Sequence, residues 1–350
     1  MTGMSELASS GMRQAPAPPA GSHPDTEYRA LMNSLLLACL LLLSGPDQEP
    51  VSSPAPEAGP RFELVVLGRA QDGGLPHVGC TRPCCVEARA SGRVETPACL
   101  GVIDHQEDRL VLVEATPAID TQIALLQDTA GQSDRGRRPV DAVLLTHAHI
   151  GHYLGLAHFG REVASTESTP VHVSPRFAEF LRNNGPWSQL VELEQIELKE
   201  FEPGGTFEPI PDLVVEAFPV PHRDEFSDTM AYKIRGPNRT VLFVPDIDRW
   251  DAETVGPDFI DRLFADVDIA YIDATFYDGR ELPGRNLLMI PHPPMIDSME
   301  RFADRVKRNP GMIRFIHLNH TNPALHEDSV REAIRSRGFL LAIPGERIEL

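Results

Sequence analysis

The sequence predicts an α/β protein built on mixed β-sheets, and three patterns lead to this prediction. Short apolar runs bounded by turn residues recur along the chain, as expected of buried strands. Segments with apolar residues at helical spacing alternate with them. Some neighbouring runs, such as residues 230–234 and 240–244, are joined by a short polar segment. They predict antiparallel hairpins, so the pattern is not a strict βαβ repeat.

The predicted elements extend over residues 61–350, which we interpret as one catalytic domain without internal repeats. In chain order the predicted strands are residues 62–67, 109–113, 142–145, 171–173, 213–218, 230–234, 240–244, 268–272 and 312–316. The predicted helices are residues 118–127, 175–183, 295–308 and 329–337.

Residues 1–60 differ in composition and are interpreted as a leader with a disordered, Pro-rich linker. An apolar run at 35–43 (LLLACLLLL) precedes the Pro-rich stretch 46–60. Its length suits a secretory signal peptide better than a membrane span. We therefore expect export to the periplasm or the extracellular space. Membrane contact is then limited to a leader that stays uncleaved or is lipidated at Cys39. If the run is instead a buried helix, the protein is cytoplasmic.

The charge of the chain restricts its partners. The formal net charge is -19, and no Lys/Arg-rich run concentrates positive charge locally. Such a surface repels phosphate backbones. We expect a small-molecule substrate and no binding of nucleic acid.

A cluster of imidazoles carries the strongest chemical signal. The segment THAHIGH follows a predicted buried strand and contains His147, His149 and His152. His147 and His149 are two residues apart, so on an extended segment they point the same way. His152 reaches the same place if a helix begins there. Imidazole binds zinc, iron and related ions, and core packing does not explain three histidines at one strand end. The sequence therefore predicts a metal site.

THAHIGH resembles the THxHxDH signature of the metallo-β-lactamase superfamily, and later motifs follow in that family's order. The resemblance implies an αββα sandwich, with two mixed β-sheets packed between helices and metal ligands on loops at strand ends. It also implies roles for residues outside the motif. These are Glu114 as an early acidic residue, His222 and His317 as metal ligands, Asp246 as a bridging ligand that also serves catalysis, and His292 as a catalytic residue.

One position departs from the family pattern. The aspartate of the THxHxDH motif is replaced by Gly151 here, and glycine has no side chain that could bind a metal. The resemblance therefore implies an intact first site (His147, His149, His222) and a second site (His152, His317, Asp246) that lacks one ligand. Asp72 and Asp248 are candidates to compensate, and Asp72 is the more plausible of the two. The centre is expected to hold one zinc tightly, or two, with iron and manganese as alternatives, and Gly151→Asp is expected to restore a full pair.

Motifs near both ends give a narrower resemblance. Residues 67–80 (LGRAQDGGLPHVGC), 114–120 (EATPAID) and 317–323 (HLNHTNP) resemble the pyrroloquinoline quinone biosynthesis protein B family. This chain nevertheless keeps His147 and His149 where that family lacks both histidines. The resemblance thus implies a homologue with a hydrolase-like site.

Cysteines near the first strand indicate a second metal site. In a related phosphodiesterase branch, three cysteines here and a histidine three residues past the last active-site ligand hold a structural zinc. The matching residues are Cys80, Cys84, Cys85 and His320. A Cys₃His set is a closed site that serves structure. A disulfide is the alternative, and His77 is a spare ligand.

These features predict a metal-dependent hydrolase that uses metal-bound hydroxide on a small ester, lactone or phosphodiester. His292 would stabilise developing charge or protonate the leaving group. Two alternatives stay open. Three histidines with a carboxylate also suit an iron-dependent oxidase or hydroxylase. A degraded site, which Gly151 allows, would suit a non-catalytic binding protein.

Overall fold

The computed structural model describes residues 59–251, 256–286 and 289–350. Residues 59–350 form one compact unit. Within this described part, no helix combines the length and apolar character needed to cross a membrane. The predicted leader, with its apolar run at 35–43 and Cys39, lies outside the described residues, so export and lipidation stay predictions.

The described residues form two seven-stranded sheets. The first has the order β14-β1-β2-β3-β4-β5-β6 and the second the order β13-β12-β11-β10-β9-β8-β7. The strands are β1 (Phe62–Gly68), β2 (Cys99–Asp104), β3 (Arg109–Val113), β4 (Ala142–Leu144), β5 (Thr169–Val173), β6 (Ile196–Glu200), β7 (Thr206–Phe207), β8 (Val214–Pro219), β9 (Met230–Arg235), β10 (Thr240–Val244), β11 (Ile269–Asp273), β12 (Ile313–Ile316), β13 (Leu340–Leu341) and β14 (Arg347–Glu349).

Both sheets are mixed, as the sequence predicts. In the first sheet, β1 to β3 are antiparallel and β3 to β6 are parallel. In the second, β7 to β10 are antiparallel and β10 to β13 are parallel. The pair β9 and β10 is the predicted hairpin, with Val241 opposite Ile234.

Helices cover the outer face of each sheet. They are α1 (Pro83–Ser91), α2 (Ile119–Ala130), α3 (Ile150–Tyr153), α4 (Pro175–Asn183), α5 (Trp187–Glu192), α6 (Phe259–Leu263), α7 (Met295–Arg301), α8 (Ala303–Arg308) and α9 (Asp328–Ser336). The single helix expected over 295–308 is wrong in one respect, because it divides at Phe302. That residue leaves helical geometry and buries its ring against Trp250 and Phe264.

The side-chain alternation of β1 shows how the layers are built. Leu64 and Val66 pack into the core between the two sheets, and Val65 and Leu67 pack on the other face beneath α2 and α4. A third core lies between the second sheet and helices α6 to α9. Since both faces of β1 are buried, its sequence is apolar except at Glu63, whose carboxylate pairs with Arg347. The result is the expected αββα sandwich.

The sequence analysis missed five of the described strands, and all of them except β2 are short or lie at the margin of a sheet. In β6 only Ile196 is buried, so its polar residues hide the pattern. The strands β7, β13 and β14 have two or three residues each. The strand β2 is fully buried and follows a Pro-containing segment without a clear turn signal.

The topology gathers chemically active residues at one edge of the sandwich. Parallel strands end on the same side of a sheet, and the loops that follow them carry the candidate ligands. These are Glu114 after β3, His147 to His152 after β4, His222 after β8, Asp246 after β10, Asp273 at the end of β11, and His317 after β12.

Candidate metal centre

Six predicted ligands form one cluster, which we call the histidine–aspartate centre: His147, His149, His152, His222, Asp246 and His317. Asp246 lies in the middle. Its Oδ2 is 3.0 Å from His147 Nε2 and 3.1 Å from His152 Nε2. Its Oδ1 is 3.0 Å from His317 Nδ1. Asp246 is buried, so its carboxylate is shared by histidines from both halves of the centre.

The first set comprises His147, His149, His222 and Asp246, whose facing atoms all lie within 4.8 Å of one another. His149 Nδ1 is 2.9 Å from His147 Nε2 and 3.2 Å from His222 Nε2. His147 and His149 flank Ala148 on extended backbone, where alternate side chains share a face. Ala148 itself points away into the core beneath the first sheet. The rings of His147 and His149 thus lie on the same side of the segment, as their two-residue spacing predicts.

Each histidine of the first set is held at its outer ring nitrogen by a polar side chain. Such contacts fix the ring and the tautomer of a metal-binding histidine. The contacts are His147 Nδ1 to Thr146 Oγ1 at 2.9 Å, His149 Nε2 to Glu225 Oε2 at 3.1 Å, and His222 Nδ1 to Asp248 Oδ1 at 2.9 Å. Asp248 therefore positions His222, and it is not among the residues gathered at the second site.

The second set comprises Asp72, His152 and His317, whose facing atoms also lie within 4.8 Å of one another. His152 enters the set because α3 begins at Ile150. Its Nε2 is 3.4 Å from Asp72 Oδ1, and His317 Nε2 is 3.7 Å from the same oxygen. The opposite nitrogen of His152, Nδ1, lies 3.3 Å from Glu114 Oε1.

The donor atoms of the second set fit a bound cation. Most buried polar atoms in proteins have a hydrogen-bond partner. Among the described residues, the buried side-chain atoms without one include Asp72 Oδ1, Asp246 Oδ1, both ring nitrogens of His152, and His317 Nε2. Three of these atoms, Asp72 Oδ1, His152 Nε2 and His317 Nε2, face one another. A set of imidazole nitrogens and carboxylate oxygens is the ligand chemistry of zinc, iron and related ions.

Three residues of this region have backbone conformations that side chains rarely adopt. The φ angles are 80° at Glu114, 63° at His317 and 28° at Asp72. Positive φ outside glycine is costly and concentrates at functional sites. Glu114 is also fully buried and accepts a hydrogen bond from the Thr146 hydroxyl. It therefore acts as a positioning residue behind His152.

The two sets differ in their protonation. Burial, reinforced by the neighbouring His152, holds the pKa of His147 well below its usual range. Burial would also lower the pKa of His152 and His317, but carboxylates outweigh it. Glu114 and Asp246 raise the pKa of His152 well above its usual value. Asp246 and Asp72 raise the pKa of His317 to about 10. A metal ion must therefore displace protons from the second set but not from His147.

His292 lies beside the centre and is held by an aspartate that the sequence analysis did not identify. His292 Nδ1 is 2.7 Å from Asp273 Oδ2 and 3.7 Å from Asp246 Oδ1. Burial alone would lower the pKa of His292, but Asp273 outweighs it and raises this pKa. Thr275 completes the contact, since its hydroxyl donates to Asp273. Asp273 ends β11, so a carboxylate at a predicted strand end was the available signal.

The structure corrects the expectation about Gly151. A Cβ atom at this position would lie 2.0 Å from Asp72 Oδ1 and 2.6 Å from Asp72 Cα. The space of the missing side chain is thus filled by Asp72, and Gly151→Asp cannot simply restore a ligand.

The cysteine cluster contains three of its four predicted members. Cys80, Cys85 and His320 place their ligand atoms within 4.8 Å of one another, and Cys84 lies outside this group. The ring of His77 stacks on His320 with 4.6 Å between centroids. The described cysteines are all free thiols, so no disulfide joins them. The remaining described cysteine, Cys99, is buried in the core.

We expect Cys85→Ser to remove one zinc per chain and to lower the melting temperature. A structural zinc contributes directly to folding free energy, and Cys85 is fully buried in the cluster. Mass-spectrometric metal counting and thermal melting measure both effects. Cys99→Ala is the matched control, since Cys99 touches no ligand of the cluster and should keep its zinc. Unchanged zinc in Cys85→Ser would contradict the assignment.

A cavity of about 680 Å³ opens beside the centre. His149, Asp72 and Gly151 line it, together with the exposed side chains of Ile150 and Phe226. The cavity therefore combines metal-ligating groups with apolar side chains.

Comparison with known proteins agrees with this geometry. The family model described as the beta-lactamase superfamily domain matches residues 109–320. The chain belongs to this family. The match includes the first set and the strand ends that carry it, together with Asp246, His292 and His317.

Within the superfamily, the chain resembles proteins of coenzyme synthesis. Coenzyme PQQ synthesis protein B of Methylobacterium nodulans is 28% identical over 319 residues, covering 83% of this chain and all of that protein. The Zn²⁺-bound PqqB structure from Methylobacterium extorquens has a TM-score of 0.68 at 24% identity, covering 82% of this chain and all of that one. The structure of a diphosphatase from the PhnP family has a TM-score of 0.59 at 19% identity, covering 83% of this chain and 97% of that one. These structures share the fold.

Proposed function

We propose that the protein is a metal-dependent hydrolase acting on a small ester, lactone or phosphodiester. The observation that carries the proposal is the pair of neighbouring ligand sets beside an open cavity, with Asp246 in the first set and in contact with both histidines of the second. The net charge of -19 supports a small-molecule substrate over a nucleic acid. Zinc is the proposed metal, because imidazole and carboxylate are among its usual ligands.

A divalent ion bound there supplies two things, a lowered pKa for a coordinated water and polarisation of the substrate's carbonyl or phosphoryl oxygen. The side chains supply the geometry. His147, His149 and His222 offer three nitrogens that are each fixed from behind. Three protein ligands with space for water and substrate are typical of catalytic zinc sites.

His292 is the proposed acid. Its raised pKa keeps the imidazole protonated further into the neutral range than an ordinary histidine. Asp273 accepts from Nδ1–H, which leaves Nε2–H on the opposite side of the ring to protonate a leaving-group oxygen. The protonated imidazole of His292 also stabilises negative charge that develops on the substrate near Asp246.

An iron-dependent oxidase or hydroxylase is the second candidate. One observation favours it, the 28% identity to a protein named for coenzyme PQQ synthesis over nearly the whole described chain. The first set, with three histidines and a carboxylate, also suits iron(II). We also propose export, which rests on the leader sequence alone and does not depend on the chemistry of the metal centre.

The test is to strip the protein of metal and reload it with zinc, manganese or iron(II) separately. Each form is then assayed on chromogenic esters, lactones and phosphodiesters, with dissolved oxygen monitored. We expect hydrolysis that returns with zinc and consumes no oxygen. Oxygen consumption with iron alone would favour the oxidase, and tight metal binding without turnover of any substrate would favour a binding protein.

A further inference from the structure

Gly151 stands where the family motif has an aspartate, and the carboxylate of Asp72 occupies the space of the absent side chain. Gly151 sits in α3, and any side chain there would begin 2.0 Å from Asp72 Oδ1. Asp72 lies 79 positions earlier in the chain, on the loop after β1. Its carboxylate therefore reaches the place of the absent side chain from the opposite direction.

The atoms around this carboxylate point to a ligand. His152 Nε2 and His317 Nε2 belong to side chains that are only 1% exposed, and neither makes a hydrogen bond of good geometry with a described residue. Asp246 Oδ2 lies 3.1 Å from His152 Nε2 as an ion-pair contact. Both histidine nitrogens face Asp72 Oδ1, at 3.4 and 3.7 Å. These separations exceed a normal hydrogen bond. Distances of this size are typical of ligand atoms that surround a common metal ion.

The loop of Asp72 is fastened to the segment that carries His317. The amide of Gln71 donates to the carbonyl of Leu318 at 2.8 Å, and the amide of Leu318 donates to the carbonyl of Arg69 at 2.8 Å. The side-chain amide of Asn319 donates to the side chain of Gln71. Because these bonds flank both residues, Asp72 and His317 are held in a fixed relation.

Backbone strain at Asp72 is consistent with a required side-chain position. Its φ of 28° lies outside the favoured regions, although Asp tolerates positive φ better than most residues. The adjacent Gly73 and Gly74 allow the tight turn, in which the Gly74 amide donates to the Gln71 carbonyl at 2.8 Å. The turn directs the carboxylate into the centre.

We propose that Asp72 is the carboxylate ligand of the second metal, replacing the motif aspartate that Gly151 lacks. The second site then consists of Asp72, His152 and His317, with Asp246 shared with the first. The carboxylate comes from a different part of the chain than in the family motif but lies at the same place in the centre. The centre therefore holds two metal ions. This inference rests on the metal centre of the proposed function and specifies its composition.

The experiment compares the full chain with Asp72→Asn, which keeps the shape of the side chain and tolerates the same backbone angle. Both proteins are stripped of metal and titrated with zinc alone, by calorimetry and mass-spectrometric counting. We expect Asp72→Asn to bind one zinc fewer, with second-site affinity weakened by more than about 100-fold, the upper range for loss of an outer-shell contact. The cysteine cluster is the same in both, so the difference reports the histidine–aspartate centre.

Asp224→Asn is the matched control, since Asp224 is exposed and pairs with Arg176 rather than with a histidine. It should bind as much zinc as the wild type, and circular dichroism should show all three proteins folded. If Asp72→Asn and the wild type both bind two zinc ions at the centre, the assignment of Asp72 is wrong and the metal centre stands. If the wild type binds only the zinc that Cys85→Ser removes, the proposed function fails as well.

Discussion

Asp246→Ala is expected to abolish tight metal binding at the histidine–aspartate centre and to reduce hydrolysis to a small residual rate. Asp246 contacts histidines of both sets, at 3.0 Å from His147 and 3.0 Å from His317, so its loss opens both sites. The imidazoles of His152 and His317 then lose the carboxylate that balances their charge. We expect kcat/KM to fall roughly 10³-fold, about 4 kcal/mol of transition-state stabilisation. Steady-state kinetics and zinc counting provide the measurement.

Asp248→Asn provides the control for this experiment. Asp248 holds the outer nitrogen of His222 and does not lie between the two sets. Loss of an outer-shell contact costs about 10- to 100-fold in metal affinity. The variant should therefore still bind two zinc ions, with weaker affinity only at the first set, and keep measurable activity. Equal losses in the two variants would show that Asp246 acts only by orienting histidines.

The effect of pH on zinc affinity follows from the same carboxylates. His152 and His317 hold protons in the metal-free protein because their pKa values are raised. Zinc must displace these protons, so affinity at the second set rises with pH up to the pKa of His317 at about 10. It is weakest in acid. The first set lacks this barrier at His147, whose pKa is lowered.

The sheets could be predicted because most strands are buried on both faces and read as continuous apolar runs. The strand β3 is an example, predicted and observed at Arg109–Val113. The strand β6 could not be found this way, since three of its five residues are polar and exposed or partly exposed. The break at Phe302 was equally hidden, because only tertiary packing against Trp250 selects it.

The first ligand set could be predicted because local geometry fixes it. His147 and His149 alternate on extended backbone, and the motif itself carries that spacing. Asp72 could be named as the more plausible of two candidates, but nothing in the sequence measures its distance from Gly151. Asp248, the other candidate, instead positions His222. Asp273 was missed because its role depends on a contact with His292 from a distant loop.

Gly151→Asp is expected to destabilise the protein and to displace the second metal. The new Cβ would lie 2.0 Å from Asp72 Oδ1 and 2.6 Å from its Cα, a contact that forces the loop of residues 71–74 to move. Overpacking of this kind costs roughly 1–3 kcal/mol. The introduced carboxylate would also stand beside that of Asp72, and like charges at short range repel. Thermal melting and zinc titration of the variant measure both effects.

Asp72→Gly separates this clash from a general intolerance of α3. Removing the Asp72 side chain eliminates the 2.0 Å contact and one of the repelling charges, while the contact with Cα stays. Gly151→Asp should therefore cost less in the Asp72→Gly background than in the wild type, and the difference is the coupling energy of the two positions. The double variant should also regain part of the second-site zinc affinity that Asp72→Gly loses, because a carboxylate again lies beside His152 and His317. An identical cost in both backgrounds, with no recovery of zinc, would mean that the two positions do not exchange roles. Gly151 would then be required by the backbone of α3 alone.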